Sequence, residues 1–251
     1  MNEIIWMLRY FRQYLSPKRQ LSLWRNNIKA WQRFWESYGS YKSMALDDEQ
    51  PLLKNLYPCL GDDTAETVIE PTYFYQDCWA FEKIVNNRPQ NHVDIGSHHK
   101  FVALLSKVVP VTMVDIRPLS LPLETLNFKK GSILELPFED NSVESISSLC
   151  VVEHIGLGRY GDPLDPYGSE KAINELKRVL KPGGHLYFSV PVLGNKNITF
   201  FNAHRSFSET YIKTIFAECN ILEKKYIYGR TYTNQEQNDK FGIGLYQIQK
   251  L

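Results

Sequence analysis

The sequence predicts an α/β fold: a mostly parallel sheet with helices on both faces, preceded by a helical appendage. Three observations carry that reading. From residue 72 onward, short apolar runs alternate with segments of helical periodicity, the pattern of strands joined by crossover helices. Two of the runs, HVDIG and VTMVDI, end near a Gly and an Asp, as strand tips do where a turn and a ligand follow. Residues 1–42, in contrast, show helical stripes and no strand-like run.

Composition bounds the function. The chain has 251 residues, 43% hydrophobic and 23% charged, which excludes collagen-like, disordered and disulfide-scaffold chains. A net charge of +1 gives no chain-wide attraction to nucleic acid, so that partner is not favoured. No apolar run approaches the ~18 residues of a membrane span. Residues 1–15 are interrupted by Glu3, Arg9 and Arg12, so no signal-peptide core is expected. Cys59, Cys78, Cys150 and Cys219 are widely spaced, which fits a reducing, cytoplasmic compartment better than a disulfide framework or a zinc site.

The near-neutral total hides an asymmetry. Residues 1–42 hold eight Lys or Arg against two Glu, together with Trp6, Trp24, Trp31 and Trp35 of the chain's five tryptophans. Ile4, Leu8, Phe11 and Leu15 recur at helical spacing, as do Trp24, Ile28, Trp31, Trp35 and Tyr38. Pro17 suits a helix start and Gly39 a stop, so two amphipathic helices are expected. Their aromatic stripes are expected to pack over the main domain. The alternative is peripheral contact of residues 1–38 with an anionic membrane, which basic Trp-rich helices favour. Loop-forming residues between Asp47 and Asp63 mark a linker. The expected organisation is an appendage 1–42, a linker 43–71 and a main domain 72–251.

Within the main domain, residues 72–87 read as a helix burying Phe74, Cys78, Phe81 and Val85. Strands are expected at 92–96, 111–116, 126–128 and 143–152, with a helix at 101–109. Ser169 is expected to cap a helix through Leu180, with Ile173, Leu176 and Leu180 inward, stopped by Lys181-Pro182-Gly183-Gly184. A fifth strand follows at 185–192. Ser206 to Glu209 has the capping-box pattern before a helix reaching Cys219. Residues 221–228 and 241–248, with no helical pattern between them, are expected as an antiparallel pair at one edge.

In such a sheet the ligand lies beyond the carboxyl ends of the strands. Gly96 lets the backbone approach it closely, and Asp115, nineteen residues on, has the offset of a carboxylate that grips ribose hydroxyls. Gly96 is followed by Ser97-His98-His99-Lys100 with no second glycine, so a nucleoside ligand without phosphates fits better than a dinucleotide. His98-His99 suggests no metal, since adjacent helix positions point apart. His154, after the fourth strand, is the first candidate proton acceptor and His204 the second. Arg205 suits an acceptor's carboxylate or phosphate. For His204 and Arg205 a loop-pinning role weighs slightly more, and for His154 a bond to the following loop weighs equally with catalysis. The polar, glycine-rich stretch 156–168, with Arg159, Tyr160 and Asp162, reads as a wall or lid on the acceptor side, the alternative being a surface loop whose Asp residues only build turns.

Three stretches in order, Gly131 to Ile146 with its Leu136-Pro137-Phe138, then Val151-Val152-Glu153-His154, then Leu180-Lys181-Pro182-Gly183-Gly184, resemble the class I S-adenosylmethionine-dependent methyltransferases of the type 11 kind. The likeness spans about residues 75–230. The stretch from Glu153 to Pro163 also resembles an uncharacterised methyltransferase-like subfamily associated with bacterial surface-sugar genes. The resemblance implies a Rossmann-like, seven-stranded sheet with S-adenosyl-L-methionine across the ends of strands one, two and four. It places Asp94, Gly96, Ser97 and His98 at the methionine end, Asp115 on the ribose and Ile116 on the adenine. Ser132 and Ile133 fall at the adenine edge, and Val151 to His154, Glu153 included, where cofactor and acceptor meet. Ser97-His98 replaces a glycine-rich turn and Ser132 an acid. The implied function is methyl transfer, O-directed, to a sugar, glycan or other small molecule. The alternatives are a non-catalytic cofactor-binding or glycan-assembly module and, less favoured, a nucleic-acid methyltransferase using the basic arm.

Overall fold

A computed structural model describes residues 17–117, 119–237 and 239–251. Two compact units part between Val68 and Ile69.

The first unit is built on helix α1 (Pro17–Met44), which starts at Pro17 as its sequence suggests. It runs through Gly39 instead of stopping there. The reason lies beyond the helix: the Gln50 amide donates to the carbonyls of Lys42 (2.9 Å) and Ala45 (2.8 Å), satisfying the end of an extended helix. Arg33 ties the segment that follows back to α1, through Asp63 (3.0 Å) and the Leu60 carbonyl (3.3 Å). Leu21, Trp24, Ile28, Trp31 and Trp35 form an exposed stripe along the helix. The stripe from Ile4 to Leu15 lies outside the described residues.

The second unit is the sheet domain. Its elements are α2 (Pro71–Asn87), β1 (His92–Ile95), α3 (His99–Leu105), β2 (Val111–Asp115), β3 (Leu126–Lys130) and β4 (Val143–Leu149). There follow α4 (Gly168–Val179), β5 (Leu180–Val192), β6 (Ile198–Phe200), β7 (His204–Ser206), α5 (Glu209–Ile215), β8 (Cys219–Tyr228), β9 (Thr231–Thr233) and β10 (Gly242–Lys250). The main sheet has eight strands in the order β3-β2-β1-β4-β5-β10-β8-β9, one more than the seven expected. The additional strand is β9, which folds back on β8 at the edge. β3 to β5 with β1 and β2 are parallel, and β10 and β8 are antiparallel, as expected of the last two long strands. The chain order reverses at β1, between β2 and β4, so a crevice opens at the carboxyl ends of these three strands.

Several local expectations are corrected. Helix α2 buries Gln76, Trp79, Ala80 and Ile84, while Phe74 and Cys78 are exposed. The apolar stripe misleads because the buried face includes a polar residue: Gln76 Oε1 accepts from Ser189 Oγ (2.6 Å) and Cys150 Sγ (3.1 Å). Helix α4 buries Ala172, Ile173, Leu176 and Val179 and ends there, so Leu180 opens β5. Val143 pairs with Leu180 and Ser145 with His185, so Lys181 to Gly184 bulge out of the strand. Ser169 does not cap α4; it lies inside the first turn, donating to the Val152 carbonyl (2.6 Å). The cap of α5 is Ser208, whose Oγ accepts from the Tyr211 amide (3.2 Å), while Ser206 ends β7 and Cys219 begins β8.

Candidate functional site

β1 is buried on both faces, yet it carries two polar side chains. His92 bonds Ser145 Oγ through Nδ1 (2.7 Å) and Ser147 Oγ through Nε2 (2.9 Å). Ser147 Oγ donates to Asp94 Oδ2 (2.5 Å), so it accepts from His92, which fixes the Nε2–H tautomer and leaves Nδ1 to accept from Ser145. Burial holds the ring neutral, with its pKa pushed down to about 3. Asp94 Oδ1 accepts from the Ser97 amide (3.0 Å), and the Ser97 hydroxyl accepts from the Leu149 amide (3.2 Å). Asp94 is therefore no lining residue at the methionine end. It is fully buried, its pKa raised to about 6 by burial, and it shapes the turn after β1 from beneath.

That turn exposes Gly96 at φ +65°, a conformation glycine adopts freely. A Cβ there would stand 3.3 Å from Val151 Cγ1 and 3.9 Å from Asp115 Oδ2, so the missing side chain leaves a cradle between the tips of β1, β2 and β4. Asp115 is the last residue of β2 and its side chain is mostly buried. Its Oδ1 accepts from the Arg117 amide (2.8 Å), and Oδ2 is the atom nearer Gly96.

Two adjoining cavities meet at this cradle and share Gly96, Asp115, Arg117, Cys150, His154 and Tyr160. The smaller, about 370 Å³, is walled by Ile116, Ser132, Ile133, Val151 and the Tyr160-to-Pro163 stretch. The larger, about 600 Å³, adds Ser97, His98, Glu153, Arg159 and His204. Fourteen of the sixteen residues singled out from the sequence thus line one groove; Asp94 and Arg205 do not. Tyr73 of α2, Cys150, Arg117 and Phe241 also line it and were not foreseen. The sequence held a faint signal for Arg117, two residues past the acid of β2, and for Cys150, between β4 and Val151. Tyr73 and Phe241 come from elements distant in sequence and carry no such signal.

The predicted lining residues divide by what their polar atoms do. His154 Nδ1 lies 2.6 Å from the Ala203 carbonyl, which can only accept, so Nδ1 carries the proton and Nε2 the lone pair. Arg159 Nη1 donates to the same carbonyl (3.0 Å). Burial lowers the His154 pKa to about 4, so the ring is neutral around pH 7. His204 lies between the rings of Phe200 (5.0 Å) and Phe241 (5.4 Å), with Nε2 buried and unbonded, and its pKa too is lowered by burial. Glu153 is buried with Oε2 unbonded, and burial raises its pKa to about 8. His98 caps α3 and packs against Tyr73 with the rings tilted (centroids 5.1 Å apart), and Ser132 Oγ accepts from the Leu134 amide (3.1 Å). At the mouth, Arg117 and Arg159 approach the Tyr160 ring at 4.7 and 5.1 Å.

Of the substrate-binding expectations, Arg205 takes instead the loop-pinning role that weighs slightly more, and Asp162 is corrected. Arg205 is buried and spends its guanidinium on the loop: Nη1 donates to the Ile155 carbonyl (2.5 Å) and Ser169 Oγ (2.9 Å), and Nη2 to the Asp165 (3.0 Å) and Pro166 (3.3 Å) carbonyls. It pins the 156–168 stretch to α4 and does not reach a ligand. Asp162 touches the smaller cavity, but its carboxylate accepts from the amides of Gly156 (2.6 Å) and Tyr160 (3.2 Å), so it builds the turn.

Comparison with known proteins matches this architecture. Residues 136–240 match the family model described as "Caenorhabditis protein of unknown function, DUF268". No curated protein matches the chain. Among solved structures, the N-methyltransferase NodS from Bradyrhizobium japonicum WM9, in complex with S-adenosyl-L-homocysteine, superposes with a TM-score of 0.51 at 16% identity, covering 86% of this chain and 97% of NodS. A protein assigned as a sarcosine dimethylglycine methyltransferase from Galdieria sulphuraria gives 0.53 at 16%, covering 70% and 86%. The fold is the class I methyltransferase fold. The [4+2]-cyclase SpnF is also similar (TM-score 0.50, 13% identity, 69% and 80% covered), and its name shows that this fold serves other chemistry.

Proposed function

We propose that the chain binds S-adenosyl-L-methionine in the groove across β1, β2 and β4 and directs its methyl group to an oxygen of a small acceptor, a sugar or glycan. The observation that supports this most is the cradle itself: a carboxylate, Asp115, beside a side-chain-free turn, Gly96, where an apolar cavity meets a polar one. Asp115 would hold the ribose hydroxyls, with Ile116, Ile133 and Val151 against the adenine. When bound, the cofactor supplies an activated methyl group, so the chain's task is alignment and exclusion of water. His154 offers Nε2 as a neutral proton acceptor, held in one tautomer by Ala203. Arg159 and Tyr160 form the acceptor-side wall.

Thermal unfolding with S-adenosylhomocysteine against NADH tests the binding reading. Stabilisation by the former alone supports it, and stabilisation by neither overturns it. Transfer of labelled methyl from the cofactor to a glycan acceptor tests the reaction. Tight binding without turnover over a panel of sugar acceptors would favour a non-catalytic module.

A further inference from the structure

Glu153 is not explained by what surrounds it. It is 1% exposed and it lines the larger cavity. Among the described residues, its Oε2 is the only buried carboxylate oxygen without a hydrogen-bond partner. The other buried acids are satisfied: Asp94 by Ser147 and the Ser97 amide, and Glu209 by the hydroxyls of Tyr226 and Tyr246 and by Lys224. A buried carboxylate left without a cation takes up a proton instead, and an oxygen without a partner stays open to a ligand.

The groups around Glu153 do not supply that cation. From β4's end, the Cys150 thiol lies 3.1 Å from Gln76 Oε1 of α2 and also lowers the Glu153 pKa by hydrogen bonding, but it is an uncharged donor. Tyr73 of α2 is a neutral phenol, its pKa raised by burial. His154 Nε2 stands 3.7 Å from Oε1, and its ring is uncharged. The Arg159 charge lowers the acid's pKa, against the larger effect of burial, and its Nη1 serves Ala203. His204 of β7, across the cavity, is also held neutral by burial.

We propose that Glu153 is the counter-ion for the sulfonium of S-adenosylmethionine, so that the chain holds the methyl donor in preference to the spent S-adenosylhomocysteine. This rests on the binding reading above. The donor and the product differ at one sulfur, positively charged in the first and neutral in the second. A carboxylate facing that position favours the donor and speeds exchange of product. In the empty protein the acid is largely protonated near neutral pH, so donor binding expels its proton and tightens as pH rises toward 8.

Isothermal titration of the full chain, in two buffers of different ionisation enthalpy from pH 6.5 to 8.5, tests this. The probes are S-adenosylmethionine, S-adenosylhomocysteine and sinefungin, which carries an ammonium in place of the methylated sulfur. The expected result is a preference of about tenfold for both cations over the thioether at pH 8, shrinking toward pH 6.5, with proton release only for the cations. In Glu153→Gln the preference and the proton release vanish while S-adenosylhomocysteine affinity stays, which also shows that the variant is folded. Equal affinities in the wild type at all pH values, or a preference that survives in Glu153→Gln, would overturn the proposal. Binding of none of the three probes would instead overturn the cofactor reading itself. The wild-type proton release needs no variant, so the test stands even if Glu153→Gln folds poorly.

Discussion

Two clusters of titratable groups beside β4 differ in completeness. Between β1 and β4, His92, Ser145, Ser147, Asp94 and Ser97 form a chain in which the ring nitrogens and both carboxylate oxygens have partners. After β4, Glu153, His154 and His204 surround a cavity, and Glu153 Oε2 and His204 Nε2 have none. Satisfied buried polar groups specify and stiffen a structure, whereas unsatisfied ones raise its free energy unless something else binds. The first cluster has the character of scaffold and the second lines the candidate site, although both use the same residue types.

The comparison can be broken or sharpened by mutation. The largest effect is expected for His92→Ala, which removes two buried hydrogen bonds and a ring from the centre of the sheet. Urea unfolding should show a loss of about 3–4 kcal/mol. A loss below about 1 kcal/mol would mean that the β1–β4 chain is no scaffold.

Glu153→Gln should do the opposite at alkaline pH. The folded-state pKa of Glu153 lies near 8, above its ordinary 4.5, so its contribution is full below 4.5 and is lost as pH rises to 8. The variant should lack that decline and exceed the wild type at pH 8.5 by about 2–4 kcal/mol. Asp94, raised to about 6 from 3.8, adds a smaller decline between those values. His92 acts with the other sign: lowered from 6.5 to about 3, it contributes stability above 6.5 that is lost as pH falls toward 3. Unfolding curves from pH 4 to 9 for both proteins separate these limbs.

Arg205→Met should cost about 2–3 kcal/mol, because four loop and α4 acceptors lose their donor. Amide exchange should quicken across residues 156–168 while β1 and β4 stay protected. Protection unchanged in the loop would show that Arg205 does not pin it. The smallest stability change, within about 0.5 kcal/mol, is expected for Asp115→Asn, since that carboxylate keeps few protein partners. Its S-adenosylhomocysteine affinity should nevertheless fall about 10- to 100-fold by titration calorimetry.

Much of this was legible beforehand. The alternation of strands and helices, Gly96 at one tip and Asp115 at the next depend on short-range sequence, and they located the groove. Misreadings arose where polar residues are buried. Gln76 turned the inner face of α2 away from the apolar stripe, because its amide is satisfied by Ser189 of β5 and by Cys150 just after β4, both far along the chain. Arg205 sits beside His204 in sequence, yet β7 sends His204 to the cavity and Arg205 beneath the loop, since successive strand residues face opposite ways. Gly39 did not end α1, because Gln50 caps it from outside the helix.

The sequence by itself determined the order of the elements, the strand tips that carry Gly96 and Asp115, and the acidic and histidine-bearing turn after β4. Those follow from periodicity and from the conformations that glycine and aspartate favour. The tertiary structure alone decided which buried polar atoms found partners. That depends on side chains brought together from α2, β1, β4, β7 and the loop before α4, and no local pattern encodes such a meeting. The same dependence made Asp94 a support, Arg205 a pin and Glu153 a buried acid with one oxygen unpaired.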